Sequence, residues 1–289
     1  MRLWGLLGGK KDLGIEELAR RLGTAPDALR NVRIAYREFV IPKRSGGTRP
    51  IAAPDPELMQ VQRLIHRRLL LRLKTHPAAT GFQRNHSIVT NAAFHAGRAV
   101  VLSMDIKDFF GRTPSDRIRK YFRFAGWNKE TANLLTDLCT YRGGLPQGAP
   151  TSPRLSNLVN CRLDARITAL AERRGARYTR YADDLTFSFE SDDSDAIHEL
   201  IRAVKLVLQD EGYEIHHRRK LRIRRRHQRQ FVTGLVVNEQ PALPRTTRRK
   251  LRAIEHAAAQ GRECSLSTEQ LNGWRALQYM INVQRTGVQ

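Results

Sequence analysis

Three aspartates stand where carboxylates are costly. Asp105 closes the apolar run of AVVLSMDIKDFF (Ala99–Phe110), and Asp183 and Asp184 sit side by side at the bend of RYTRYADDLTFSFES. The chain carries 51 Lys and Arg against 28 Asp and Glu, a net charge of +23, so carboxylates concentrated in its most apolar stretches call for a reason. A divalent metal supplies one, because oxygen donors of like charge tolerate each other around a hard cation. Two Mg²⁺ ions about 3.5–4 Å apart would lower the pKa of an attacking hydroxyl and stabilise a leaving pyrophosphate in an in-line displacement. Taken alone, Asp183 and Asp184 are equally what a tight turn asks for, since Asp favours bends.

The elements that must hold these residues can be read from periodicity. Ala99–Phe110 has the continuous apolar character of a strand buried on both faces. Leu185, Phe187 and Phe189 alternate with Thr186 and Ser188, so the segment around Asp183-Asp184 is expected to form two strands about a tight turn. Upstream, Ile15, Leu18, Leu22 and Leu29 predict a helical hairpin with Gly23 as the stop and Thr24 as the second N-cap. Such a hairpin also resembles a helix-turn-helix DNA reader. REFVIPKRSGGTRPIAAP reads as a β-hairpin with a basic tip, and a helix is expected from about 56 to 74. Helices follow near 115–124 and 129–141. After the Gly/Pro-rich GGLPQGAPTSP, Ser152 as N-cap and Pro153 open one long helix. A further helix is expected over 195–211, short strands near 213–215, 221–223 and 231–237, and an Arg-rich helical portion from Arg245.

The charge points to a polyanionic partner, and 40% apolar content argues for a folded chain rather than a basic tail. No window approaches the roughly 18 apolar residues of a membrane span, and no basic amphipathic helix with an aromatic face stands out. A solvated surface remains the bland alternative for the charge. MRLWGLLGGKK is short and poorly ordered for a signal peptide, so a cytoplasmic location is expected. Cys139, Cys161 and Cys264 fit neither a disulfide framework nor a zinc site, and read as buried or half-buried thiols.

Taken in order, MDIKDFF, GLPQGAPTSP and YADD (Tyr181–Asp184) resemble the palm of reverse transcriptases, and the resemblance runs from about Phe39 to Val237 with the seven usual blocks in sequence. NAAFH (Asn91–His95) resembles the NAxxH element, and VTG (Val232–Gly234) the VTG element, of the bacterial retron enzymes. The resemblance implies an α+β fold of the right-hand polymerase type. Its parts would be an N-terminal helical extension (1–37), fingers (38–98), a ferredoxin-like palm with the YADD hairpin (99–238), a helical fingers insertion near 113–150, and a short helical thumb (239–289). It implies RNA-directed DNA synthesis at Asp105, Asp183 and Asp184 with two Mg²⁺ ions.

The same resemblance implies roles for other residues. Lys43 and Arg49 on the basic hairpin would meet the incoming triphosphate, Phe110 would lie under its sugar and exclude a 2′-hydroxyl, and Gln147 would lie near nucleotide and template. Gly212, Ile215 and Lys220 supply a further nucleotide-side motif, with His216 in place of the common Asn. The run His216–Arg229 holds eight Arg and Lys, among them Arg218, Arg219, Arg222, Arg224, Arg225 and Arg226, and suits a phosphate track. Arg248, Arg249 and Lys250, with Trp274 and Tyr279 farther on, would grip RNA by charge and stacking. Asn91, His95 and Thr233 are expected to contact RNA or support the segments that do.

As a retron enzyme the protein would take a structured noncoding RNA as template and primer, use deoxynucleoside triphosphates, start from a guanosine 2′-hydroxyl and leave branched RNA–DNA. It would act with an effector protein in phage defence inside a bacterial cytoplasm, without a membrane. Rival readings are a group II intron-like or diversity-generating reverse transcriptase, and a noncatalytic RNA-binding protein on a polymerase scaffold. No maturase, endonuclease or RNase H block is expected after the thumb.

Overall fold

The computed structural model describes residues 12–43, 46–216 and 221–284. In chain order the helices are α1 (Ile15–Leu22), α2 (Pro26–Arg30), α3 (Pro56–Leu64), α4 (Ile88–Ala93), α5 (Ser115–Phe124), α6 (Lys129–Cys139), α7 (Ser152–Val159), α8 (Cys161–Glu172), α9 (Ser194–Asp210), α10 (Arg245–Ala259) and α11 (Thr268–Gln284). The strands are β1 (Tyr36–Pro42), β2 (Thr48–Pro54), β3 (Val100–Asp105), β4 (Ala176–Tyr181), β5 (Asp184–Phe189), β6 (Arg222–Arg225), β7 (Phe231–Val232) and β8 (Leu235–Val236). The protein is thus mixed α+β, and its described residues divide into two compact units.

The first unit holds the described residues up to Pro77, with Lys107–Ala165 and Glu211–Tyr213. Its core gathers Leu18, Leu22 and Leu29 from the N-terminal hairpin with Leu58, Ile65, Phe122, Trp127, Leu135 and Leu155. Gly23 ends α1 at φ 65°, a left-handed cap that glycine adopts without steric cost. β1 and β2 form an antiparallel ribbon in register from Tyr36↔Pro54 to Pro42↔Thr48, and its outer part is exposed.

The second unit holds Ala78–Ile106, Arg166–Asp210 and the described residues from Glu214 onward. A four-stranded antiparallel sheet in the order β4-β5-β3-β6 is its centre. β3 and β5 lie inside the sheet and are nearly all buried; β3 runs apolar, whereas β5 alternates its apolar residues with Thr186 and Ser188. α9 turns Ile197, Leu200, Ile201, Val204, Val207 and Leu208 inward at helical spacing. A separate cluster joins Val89 and Ala92 of α4 to Val232, Leu235, Leu251, Ile254, Leu271 and Ile281.

Several local expectations are corrected. Ala25, not Thr24, is the N-cap of α2, which opens on Pro26. Thr151 precedes α7 as its N-cap, because the Ser152 hydroxyl donates instead to the Pro146 carbonyl at 2.7 Å. The long helix after it breaks at Asn160, whose side-chain amide donates back to the Ser156 carbonyl, giving α7 and α8. The helix expected over 56–74 stops as α3 at Leu64 and continues as a π-helical turn, Ile65–Leu69, and a 3₁₀ turn, Leu70–Arg72. The strand near 213–215 shrinks to a single bridge between Ile215 and Ile106. Residues 231–237 fold into the β7–β8 hairpin, because Thr233 (φ 46°) and Gly234 (φ 86°) both take the left-handed conformation that a two-residue hairpin turn requires.

Candidate active site

The second unit brings the three aspartates to one end of its sheet. β3 and β5 pair antiparallel with Asp105 directly opposite Asp184. Side chains of a directly opposed pair leave the same face of the sheet, with Cβ atoms roughly 4.5–5.5 Å apart. β4 and β5 pair from Ala176↔Phe189 to Tyr181↔Asp184, which leaves Ala182 and Asp183 as a two-residue turn. Ala182 takes φ 57°, and the Asp183 carbonyl accepts from Ile106 N at 2.9 Å, tying the turn to the end of β3. On the other side His216 N donates to the Asp105 carbonyl at 3.0 Å. Asp105 is 5% exposed, Asp183 is half-buried and Asp184 is open to solvent.

Among the described residues no three His, Cys, Asp or Glu side chains are drawn together as a ready metal cage. The donor chemistry nonetheless fits a hard cation: the three candidates are carboxylates at one end of the sheet, with no thiolate or imidazole among them. An open half-set also matches how Mg²⁺ is commonly held, by one or two carboxylates completed by substrate phosphates and water.

The first unit holds four of the nucleotide-side candidates on connected backbone. Arg49 pairs with Ile41 in the β1–β2 ribbon, and Lys43 N donates to the Gly47 carbonyl at 2.9 Å where the ribbon turns. Both cations are exposed. Three residues along β2, Ala52 N donates to the Gln147 carbonyl at 2.9 Å. Gly148 permits this approach, since a Cβ there would lie 2.8 Å from the Ala52 carbonyl oxygen. Leu145 N in turn donates to the Phe110 carbonyl at 3.2 Å, and the half-buried Phe110 ring packs on the unit's core. The expected Lys220, Arg218 and Arg219 lie outside the described residues.

Burial bears on two of the residues expected to contact RNA or to support the segments that do. Asn91 and His95 are 1% and 0% exposed, so neither side chain reaches a surface on which RNA could lie, and support is the role their positions allow. His95 sits between two sheet hydroxyls, Nδ1 2.8 Å from Ser188 Oγ and Nε2 2.8 Å from Thr179 Oγ1. Burial, reinforced by Arg177 and Arg98, lowers its pKa to about 3, so the ring is neutral at physiological pH. Thr233 is half-buried, and its hydroxyl donates to the Ile88 carbonyl at 2.8 Å, which joins the VTG turn to the helix of the NAAFH segment. That bond helps hold a β-branched residue at positive φ.

The remaining cations are accessible in differing degree. Arg222 and Arg226 are exposed, Arg224 lies over the Phe231 ring, and Arg225 pairs with Asp192 at 2.6 Å. Arg248, Arg249 and Lys250 are exposed on the first turns of α10. On α11 Trp274 packs into the second unit's satellite core, whereas Tyr279 is 72% exposed and free to stack. Cys139 and Cys161 are buried and Cys264 is half-buried, and none of the three is in a disulfide.

Thr80, Gly81 and Arg180 were not singled out by sequence patterns, yet all three press on the back of the Tyr181–Asp184 turn. For Arg180 a signal existed: it shares the inward face of β4 with Tyr178, two residues earlier, whose ring stacks on Phe187. For Thr80 and Gly81 no local periodicity exists to read.

Residues 41–233 match the family model described as "Reverse transcriptase (RNA-dependent DNA polymerase)". The chain is 38% identical over 296 residues to the retron Mx65 reverse transcriptase of Myxococcus xanthus, covering 93% of this chain and 69% of that protein. It is 38% identical to the retron Mx162 reverse transcriptase of the same organism, covering 92% of this chain and 64% of the relative. It is 34% identical to the retron Ec86 reverse transcriptase of Escherichia coli over 254 residues, covering 86% of this chain and 76% of that one.

Proposed function

Because this chain belongs to the reverse transcriptase family, among the bacterial retron enzymes, and is an RNA-directed DNA polymerase, we propose that it copies part of a structured noncoding RNA into DNA from an RNA 2′-hydroxyl. The product is a branched RNA–DNA molecule, and the setting is phage defence with a partner effector in the bacterial cytoplasm. The observation that carries the reading is the placement of Asp105 opposite Asp184, with Asp183 in the adjoining turn, in a chain of net charge +23.

Asp105, Asp183 and Asp184 hold Mg²⁺ in this reading. The bound ions supply a lowered pKa for the attacking hydroxyl and charge stabilisation for the departing pyrophosphate. Asp105, anchored through its backbone on both sides, fixes one ligand position, and the exposed Asp184 offers the other from the same face. Lys43 and Arg49 meet the triphosphate with charge-assisted hydrogen bonds, Gln147 borders nucleotide and template, and Phe110 presents its ring where a ribose 2′-hydroxyl would clash. Arg222, Arg224, Arg226 and the α10 cations follow the phosphates of template and product, and Tyr279 stacks on a base.

Expression with the genomic flanks, followed by separate RNase and DNase digestion of the copurified nucleic acid, tests the reading beside Asp183→Asn. DNA that survives RNase, remains joined to RNA through a branch and disappears in Asp183→Asn supports it. RNA alone in both preparations would overturn it.

A further inference from the structure

A short segment, Ala78–Gly81, is fully buried although it has no regular structure of its own. It runs beside the last residues of β4 as a parallel bridge between Ala79 and Arg180. Arg180 N donates to the Ala78 carbonyl at 2.7 Å, and Thr80 N donates to the Arg180 carbonyl at 2.9 Å. The Thr80 hydroxyl lies 3.2 Å from the same carbonyl and 2.8 Å from Asn91 Oδ1, so it links α4 to β4. Gly81 lies so close to the turn that a Cβ would stand 2.8 Å from Ala182 N and 3.3 Å from Tyr181 Cα.

Arg180 itself is 0% exposed, an unusual place for a guanidinium, which resists leaving water unless its donors are engaged. One of them, Nη1, donates to the Ala182 carbonyl at 3.1 Å. Ala182 is the non-glycine residue at φ 57° that begins the turn before Asp183. A left-handed alanine is strained and persists where its surroundings hold it. Here Gly81 presses on its amide side and Arg180 binds its carbonyl side.

We propose that Arg180, Thr80 and Gly81 are positioning residues for the catalytic carboxylates: they clamp the peptide of Ala182 and thereby fix where Asp183 and Asp184 stand opposite Asp105. Asn91 of the NAAFH segment anchors the clamp through Thr80, which gives this buried element a mechanical task in DNA synthesis. The inference rests on the assignment of Asp183 and Asp184 to the chemistry. Ligand geometry displaced by about 1 Å is enough to lose much of a rate without losing substrate affinity. The signature of the clamp is therefore a fall in kcat at constant KM.

Primer extension on an RNA template with the full chain tests this in Thr80→Val, Thr80→Ser, Gly81→Ala and Asp183→Asn. Each protein is also scored for dNTP KM, RNA affinity, melting temperature and the Mg²⁺ concentration at half-maximal rate. Thr80→Val is expected to lower kcat about tenfold and raise the Mg²⁺ requirement, with KM and RNA affinity within twofold of the parent. Thr80→Ser, which keeps the hydroxyl, restores the rate. Gly81→Ala is expected to lower kcat about a hundredfold in a protein that still binds RNA. Unchanged kcat in both Thr80→Val and Gly81→Ala, beside an inactive Asp183→Asn, would overturn the clamp alone. So would a Thr80→Val defect that Thr80→Ser shares, or one in which RNA affinity falls in step with kcat. Full activity in Asp183→Asn would instead overturn the assignment beneath it.

Discussion

Asp105 and Asp184 face each other directly across the β3–β5 pair, a placement in which like charges work against the fold. Removing one charge should therefore separate stability from activity. In chelator, Asp184→Asn is expected to melt higher than the parent, by about 0.2–1 kcal/mol of stability, and to incorporate no dNTP. Mg²⁺ should raise the melting temperature of the parent more than that of the variant. Thermal melts with and without Mg²⁺ check both points, and equal Mg²⁺ responses would remove Asp184 from the metal site.

Phe110 is held by its backbone to Leu145 while its ring stays half-buried. Phe110→Ala is expected to raise ribonucleotide incorporation relative to deoxynucleotide by about tenfold or more, the worth of one steric gate of roughly 1–3 kcal/mol. Packing lost from the first unit costs about 2 kcal/mol, which a melt reports independently. Unchanged discrimination would take Phe110 out of the gate.

RNA binding should fall steeply with salt, since each neutralised phosphate contributes roughly −0.7 to −0.9 to the slope of log K against log salt. Replacing Arg248, Arg249 and Lys250 together by Gln should flatten that slope by about 2 to 3. Filter binding over a salt series measures it. A parental slope near zero would mean that the basic surface is not the binding surface.

His95 makes the fold acid-sensitive. Its pKa lies at about 3 when folded and near the ordinary 6.5 when unfolded, so between these values the unfolded chain binds the extra proton. The stabilisation is complete above pH 6.5 and declines as pH falls toward 3. At pH 5 the loss is about 2 kcal/mol relative to neutral pH. Urea unfolding of the parent and of His95→Gln at both pH values checks the sign: the variant should show the smaller difference.

What could be read in advance divides along sequence distance. α5 begins at Ser115 and ends at Phe124 because its inward residues Ile118 and Phe122 recur within one helical face. The YADD hairpin was legible because alternation through β5 meets a turn dipeptide, and Asp105 because a buried strand ends on it. Nothing local marks Ala78–Gly81, whose backbone partners lie about a hundred residues onward in β4. Likewise His95 could be read as an RNA contact until Thr179 and Ser188, distant in the chain, enclosed both ring nitrogens. Chemistry carried by residue type was visible early, while burial that assigns a residue to support depends on topology.

β6 is an outer strand of the four-stranded sheet, and it is built as Arg222-Ile223-Arg224-Arg225. An outer strand exposes backbone donors and acceptors that a strand from another molecule can zip onto, and clustered cations discourage that pairing. The same arginines therefore guard a sheet edge, a task separate from the phosphate contacts proposed for them. A variant with these positions neutralised to obtain nucleic-acid-free preparations would trade contaminating RNA for self-association, whereas raising salt during purification strips the RNA and leaves the guarded edge chemically intact.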